Sequence, residues 1–507
     1  MKRIFTSFLT LIVFLSNWAS TYKSDGLCYD YDEATMTTNI YGTNYTGSRM
    51  HYYTGETLII PEKVNINGTD YLITEIKESG FESSPNLQTL VITAPITLGA
   101  YSFSECEKLK SITLPEGITE IPKGCFYNTA ITEISSLPST LISISVVNDY
   151  FNRNLSDTGA FARCTSLKSV TLPKSLRHLG DDTFSGCTNL TEANINENIV
   201  TIGSHCFSET SIITINLPLS LKEIHFRAFI NCSNLSEISL PDSLLLLGAH
   251  AFSNTSISEI VLPTKIESIR SFTFRNSNIS KLLVPVNVKR IMPAAFSGMP
   301  SLNDLIIADS QETLEFDYHA SIKFGRDPWE NFTQDTDALG EWFYGCDNIQ
   351  NLYFGRNIAT WVNPNYEFNV ESRANEDVLN PFHSLNSLKT ITIGKEVTDA
   401  SALLFEQYSN LEEINLLSDI PPILSPLSPS QLSSVRIIVP EGTSDAYKNI
   451  SGWNGATIIE ESASLDNVIV DSYNTDTPVY NLQGIRVEST ILPAGIYIKG
   501  GKKFIVH

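Results

Sequence analysis

The fold class this sequence predicts is a repeat solenoid of about 13 stacked coils, and three observations predict it. Phenylalanines recur at Phe81, Phe103, Phe126, Phe161, Phe184, Phe207, Phe229, Phe252, Phe274, Phe296, Phe343, Phe382 and Phe405, and nine of the twelve intervals are 22 or 23 residues. Between them a second pattern repeats, as in "FARCTSLKSVTLPKSLRHLG" from Phe161 and "FINCSNLSEISLPDSLLLLG" from Phe229: Cys three residues after Phe, Leu at six, Ile or Val at nine, Leu at eleven and Pro at twelve. The third observation is composition. With 42% hydrophobic and 18% charged residues over 507 positions, the chain holds enough apolar material for one long core. One unit of this size cannot bury its apolar face alone, whereas stacked units bury it as continuous ladders.

The elements follow in order along the chain. Lys2 and Arg3 precede an apolar stretch from Ile4 to Leu15, too short to cross a bilayer, so residues 1–20 read as a secretory signal with cleavage near Ala19 or Ser20. Asp25-Gly26-Leu27 before Cys28 is not a lipoprotein box, and no later stretch has eighteen consecutive apolar residues, so neither a lipid anchor nor a transmembrane helix is expected. Residues 21–72 are expected to cap the solenoid, which spans 73–460. In each coil L-x-x-I-x-L makes a short strand with two inward side chains and one outward between them, ended by a proline that has no N–H for the ladder. Some coils, such as "FSETSI" from Phe207 and "FSNTSI" from Phe252, are one residue shorter before the strand, a deletion the turn is expected to absorb. Three long intervals predict insertions near 145–157, 308–340 and 356–380. Residues 467–507 form a separate small β-rich unit, with turn glycines at Gly484, Gly495, Gly500 and Gly501.

The cysteines fall in register with the repeat, five of them three residues after a Phe, and no C-x-x-C or paired-His spacing accompanies them. That pattern favours buried, stacked small side chains over a metal site. Cys164 and Cys187 lie on consecutive coils, close enough in register to leave a bridge between them open.

The repeat resembles the BspA-like leucine-rich-repeat surface proteins of Bacteroidetes, over about Gly55 to Trp453. The lead-in "YTGETLIIPEKVNINGTDYLITEI" and the closing "VPEGTSDAYKNISGW" look like that family's edge segments. The tail, with "YNLQG", "LPAGIYI" and "GKKFIVH", resembles the sorting domain of the type IX secretion system. Together the resemblances imply an exported leucine-rich-repeat protein held at the outer membrane face or secreted. They imply no shared binding site.

Function must therefore come from surface positions. A formal charge of −22 makes nucleic acid and anionic membranes poor partners. No nucleophile elbow, phosphate loop, dinucleotide fingerprint or zinc-protease motif is present, so no catalytic residue, cofactor or metal ligand is assigned and a binding protein is expected rather than an enzyme. His205, His225 and His250 fall on neighbouring coils and read as ordinary turn or surface residues; Asp181 with Asp182, and Asp335 with Asp337, read as solvated carboxylates. The outward strand residue offers more. It is polar in early coils, at Thr113, Thr171, Asn194, Asn216 and Ser239. It then becomes Val261, Leu283, Ile306 and Tyr353 before returning to Thr392 and Asn415. This apolar stripe adjoins the two longer insertions, which bring Trp329, Trp342 and Trp361, with Tyr318, Phe324, Phe332, Tyr366 and Phe368. Two readings follow: the insertion aromatics cover the stripe, or Val261, Leu283, Ile306, Tyr353, Trp329 and Trp361 form a patch for extracellular host or bacterial proteins, an adhesin, or alternatively for a glycan or nutrient.

Overall fold

The structure is a computed structural model that describes residues 20–42, 44–46, 49–145, 159–317, 342–361, 380–461, 479–481, 486–487, 495–499 and 502–506. Residues 1–19, where a secretory signal is expected, and most of the tail lie outside the described residues. The body is a leucine-rich-repeat solenoid of parallel strands with almost no helix. Each coil passes through a tight turn around its Phe, then a first short strand, then a second. Both strands stack on their counterparts in neighbouring coils, so two parallel ladders run along the rod. The second ladder is built from the apolar positions near +15 and +18. It includes Glu120–Ile121, Ser143–Ile144, His178–Leu179, Thr201–Ile202, Glu223–Ile224 and Leu246–Leu247, each pairing with the next in register.

The Phe column is the spine. Eleven successive pairs, from Phe81–Phe103 to Phe343–Phe382, stack at 5.3–6.3 Å with ring planes within 19°. An aromatic closes each end edge-on: Tyr53 against Phe81 and Trp453 against Phe405, both at 5.8 Å. In most turns from Phe81 to Phe296 the backbone makes this possible with a left-handed residue two positions before the Phe and another two positions after it, as in His205 (φ 54°) and Glu209 (φ 59°) around Phe207. L residues rarely adopt this conformation, and Asn, Asp, His and Gly adopt it most readily. The pair turns the chain so that the Phe N–H reaches the next coil, for example Phe207 N to Ala228 O at 2.9 Å.

All eight cysteines are buried free thiols, and the bridge between Cys164 and Cys187 is absent. Their place in the turn explains why. The thiols of Cys106, Cys164, Cys187, Cys232 and Cys346 each donate to the Phe carbonyl of the preceding coil, at 3.0–3.2 Å. They add a side-chain donor to a buried carbonyl.

The shortened coils are not absorbed silently. Four coils bring their first apolar residue one position early: Phe126 to Ile131, Phe207 to Ile212, Phe252 to Ile257 and Phe274 to Ile279. The first ladder is interrupted on the incoming side of each of these four coils, and it is continuous into every long coil from Phe103 onward. Removing one residue shifts the strand backbone out of phase with its predecessor, because strand register has a period of two.

The N-terminal cap is an antiparallel sheet of Ser20–Ser24, Leu27–Asp32 and Thr37–Tyr41 that joins Thr69–Ile76, the first strand of the second ladder. At the other end Tyr447 and Trp453 are fully buried under the last coils. In the tail, the described strands Val479–Asn481, Arg486–Val487, Gly495–Lys499 and Lys502–Val506 make one antiparallel sheet.

Two insertions are shorter than the sequence suggests. Leu314–Asp317 and Ile358–Trp361 lie within the spans expected to leave the solenoid, yet they are strands of the second ladder, paired with each other and with Arg290–Ile291. The extra length is confined to 318–341 and 362–379, outside the described residues, as is 146–158.

Phe184→Ala is expected to lower stability by about 3–5 kcal/mol in urea unfolding, as for other deeply buried Phe truncations, because its ring stacks on both neighbours. A thiol reagent at neutral pH is expected to leave the native chain unmodified and to label all eight cysteines in denaturant. Burial pushes the Cys125 thiol up to about 12 and that of Cys164 to about 11, which suppresses the reactive thiolate.

Candidate ligand-binding face

The outward positions of the first ladder form columns. Leu283, Ile306 and Tyr353 stand opposite one another on consecutive coils, followed by Thr392 and Asn415. Val261 occupies the preceding coil, where the chain makes no strand pairing, and is 46% exposed. Leu283 and Tyr353 are half-buried and Ile306 is buried at 8%. The stripe is thus open at its first residue, partly open at Leu283, and closes at Ile306.

Tyr353 is pinned rather than free. Its hydroxyl lies 2.9 and 2.8 Å from the two carboxylate oxygens of Asp309 and donates to them. Burial and the Asp309 charge push its phenol well above the ordinary range. Asp309 lies tight against the following coils: a Cβ at Gly394 would fall 2.2 Å from its Oδ1. Nearby, Arg356 is fully buried and reaches across two coils to donate to the carbonyls of Val286 and Pro285, both at 3.0 Å. This polar turn chemistry closes the widened coils.

The structure does not bring all the sequence candidates together. Trp361 ends a strand of the second ladder, opposite Asp317, whereas the stripe lies on the first. Trp329 lies outside the described residues, as do Tyr318, Phe324, Phe332, Tyr366, Phe368, Asp335 and Asp337. Trp342 belongs to the core at 1% exposure, edge-on to Phe316, with its indole N–H donated to Asp317 O at 3.1 Å. Asp181 caps the next coil, accepting from Ser204 N at 2.6 Å.

Sequence reasoning missed an aromatic–cation ladder beside the Phe spine. His205 and His250 sit edge-on to Phe226 at 5.5 and 5.8 Å, and His250 stacks on Phe272 at 4.5 Å. The Arg227 guanidinium lies over Phe226 at 4.8 Å, and Arg275 over Phe272 at 5.3 Å. His250 is 3% exposed, and its Nδ1 is 3.2 Å from the Ser253 hydroxyl. Burial first, then the charges of Arg227, Arg275 and His205, depress its pKa to about 3. His225 is 3.0 Å from Glu223. The signal was available: His is one of the residues that tolerate the left-handed turn position. Among the described residues no group of three or more His, Cys, Asp or Glu could hold a metal, and no helix is long and apolar enough to cross a membrane.

The family model described as "BspA type Leucine rich repeat region (6 copies)" matches residues 61–156, 154–279, 201–324, 267–370 and 341–437. Among solved structures, a leucine-rich repeat protein from Bacteroides ovatus is 16% identical, covering 87% of this chain and all of its own, with a TM-score of 0.48. A leucine rich cell surface protein from Faecalibacterium prausnitzii is 17% identical over 78% of this chain and 94% of its own, at 0.41. The pneumococcal vaccine antigen PcpA is 16% identical over 88% and 99%, at 0.34. No curated protein matches the chain.

His250 gives this region a pH dependence. Its folded pKa lies below the unfolded value near 6.5, so its contribution is intact above about 6.5 and is lost as pH falls toward 3. His250→Asn keeps a side chain suited to the left-handed position and removes the titration. Between pH 6 and 5 the parent is expected to lose about 1 kcal/mol more unfolding stability than this variant. Parallel losses in urea titrations at the two pH values would contradict the assignment.

Proposed function

The chain belongs to the BspA type leucine-rich repeat family, and from that premise we propose that it is an exported surface protein that binds other extracellular proteins through the first-ladder face. The observation that carries this reading is the change along one column of outward residues, from Asn194, Asn216 and Ser239 to Val261 and Leu283. An apolar run set between polar rungs, Ser239 before it and Thr392 after it, is the kind of surface a protein partner covers. Export is supported by the basic-then-apolar start and by a tail that resembles a type IX sorting domain. Attachment at the outer membrane face and release after cleavage are both compatible with that tail. A solenoid suits adhesion because it presents a long surface built from short, locally repeated units.

A glycan- or nutrient-binding role is the second reading. Trp329 and Trp361 favour it, since both fall in or at the edge of the widened coils, where insertions in solenoids commonly meet ligands.

The test is a binding screen of the chain from Thr21 onward against immobilised extracellular matrix proteins and a glycan array, with Val261→Asp/Leu283→Asp alongside. Both positions are outward, so the variant is expected to keep the parent circular dichroism spectrum. A protein ligand is expected to bind the parent at least tenfold more tightly than the variant, about 1.4 kcal/mol. Equal binding by the two would remove the strand face as the site. Binding to glycans alone, lost in Trp329→Ala or Trp361→Ala, would favour the second reading.

A further inference from the structure

We propose that the solenoid carries one built-in flexible joint, between the coil of Phe229 and the coil of Phe252. Four joints lack pairing in the first ladder, as the short coils require. In the second ladder, pairing is continuous from Glu120–Ile121 to Leu246–Leu247 and resumes at Ser268–Ile269. Among the described coils from Phe103 onward, the joint between Phe229 and Phe252 is where both interruptions coincide.

The turn edge stays latched there. Arg227 N, Phe229 N and Asn231 N donate to Ala249 O, Ala251 O and Ser253 O, each at 2.9 Å. The two rings stack at 5.5 Å. A parallel strand ladder resists bending through its row of interstrand hydrogen bonds. A joint held along one edge and unladdered on both strand faces bends about that edge. The core continues through it, with Leu247 and Ile269 both buried. Separating those side chains exposes apolar surface, which limits the bend to a rocking motion and prevents the arms from coming apart.

The joint falls where the outward column changes character. Ser239 ends the polar run on one side and Val261 begins the apolar run on the other. Bending therefore reorients an N-terminal arm whose rungs from Thr113 to Ser239 are polar against a C-terminal arm that carries the apolar stripe. The sequence device is one residue: "FSNTSI" in place of the long form "F-x-x-C-x-x-L". The inference concerns the scaffold and stands whichever ligand class is found.

The experiment measures distances between spin labels on the full chain by double electron–electron resonance, exploiting the burial of the native thiols. Thr191→Cys with Ser280→Cys spans the joint over four coils, on the order of 19 Å. Lys110→Cys with Ile213→Cys spans four coils within the N-terminal arm at the same positions of the repeat. The across-joint distribution is expected to be clearly broader than the control. Inserting one serine after Thr255 restores the long form and is expected to narrow it toward the control width. Equal widths in the parent chain would overturn the proposal, and so would an insertion variant that folds yet remains as broad as the parent. If the insertion prevents folding, the parent comparison alone decides.

Discussion

Everything in this molecule hangs on the turn that places one phenylalanine ring on the next. Two left-handed residues bracket most of the phenylalanines from Phe81 to Phe296, and they fold the backbone tightly enough for the Phe N–H to bond the following coil. The column tolerates large interruptions of sequence. Phe126 and Phe161 are 35 positions apart yet stack at 5.3 Å; Phe296 and Phe343 are 47 apart and stack at 5.6 Å. Two of the long spans begin after second-ladder strands that end at Asp317 and Trp361. Loop closure grows only slowly more unfavourable with length, so a longer connection disturbs the stack little.

The residue three positions after Phe records which form a coil takes. Long coils often place Cys there, with its thiol donated backward to the preceding Phe carbonyl. The short coils at Phe207 and Phe252 place Thr210 and Thr255, whose hydroxyls donate to their own Phe carbonyl at 2.9 Å. Phe207 O accepts both bonds, from its own Thr210 and from Cys232 of the following coil, so the two donors add to one another.

Much of this was legible in the sequence, because repetition turns weak local signals into strong ones. The Phe period, the first strand, the inward and outward alternation and the burial of the cysteines all rest on positions repeated many times. The less legible parts depend on features the period does not carry. The second ladder has strands as short as two residues, as at Glu120–Ile121, too short to show alternation. The insertions seemed to begin too early because Asp309–Thr313 and Gly355–Asn357 interrupt the apolar pattern. Those polar residues belong to the coil, held by the Tyr353–Asp309 and Arg356 hydrogen bonds. Of the candidate site, the register of Leu283, Ile306 and Tyr353 was readable from spacing. Their burial was not, since side chains alike in the sequence pattern differ in what lies over them.

The charge distribution sharpens the picture of the scaffold. From His205 to Arg290 the sequence holds eight Lys and Arg against six Asp and Glu, a formal +2 within a chain of −22, so the remainder carries −24. Three of these basic residues, Arg227, Arg270 and Arg275, gather on the edge that also holds His205 and His250. Arg227 and Arg275 lie on aromatic faces, and such contacts help to fix a guanidinium. The negative charge therefore lies mainly on the other coils and the termini, where it keeps a long, repetitive surface from associating with copies of itself. A solenoid needs that protection more than a closed domain does, because every coil repeats the same motif along its length. The central coils, near neutral and holding Val261 and Leu283, are where that repulsion is weakest.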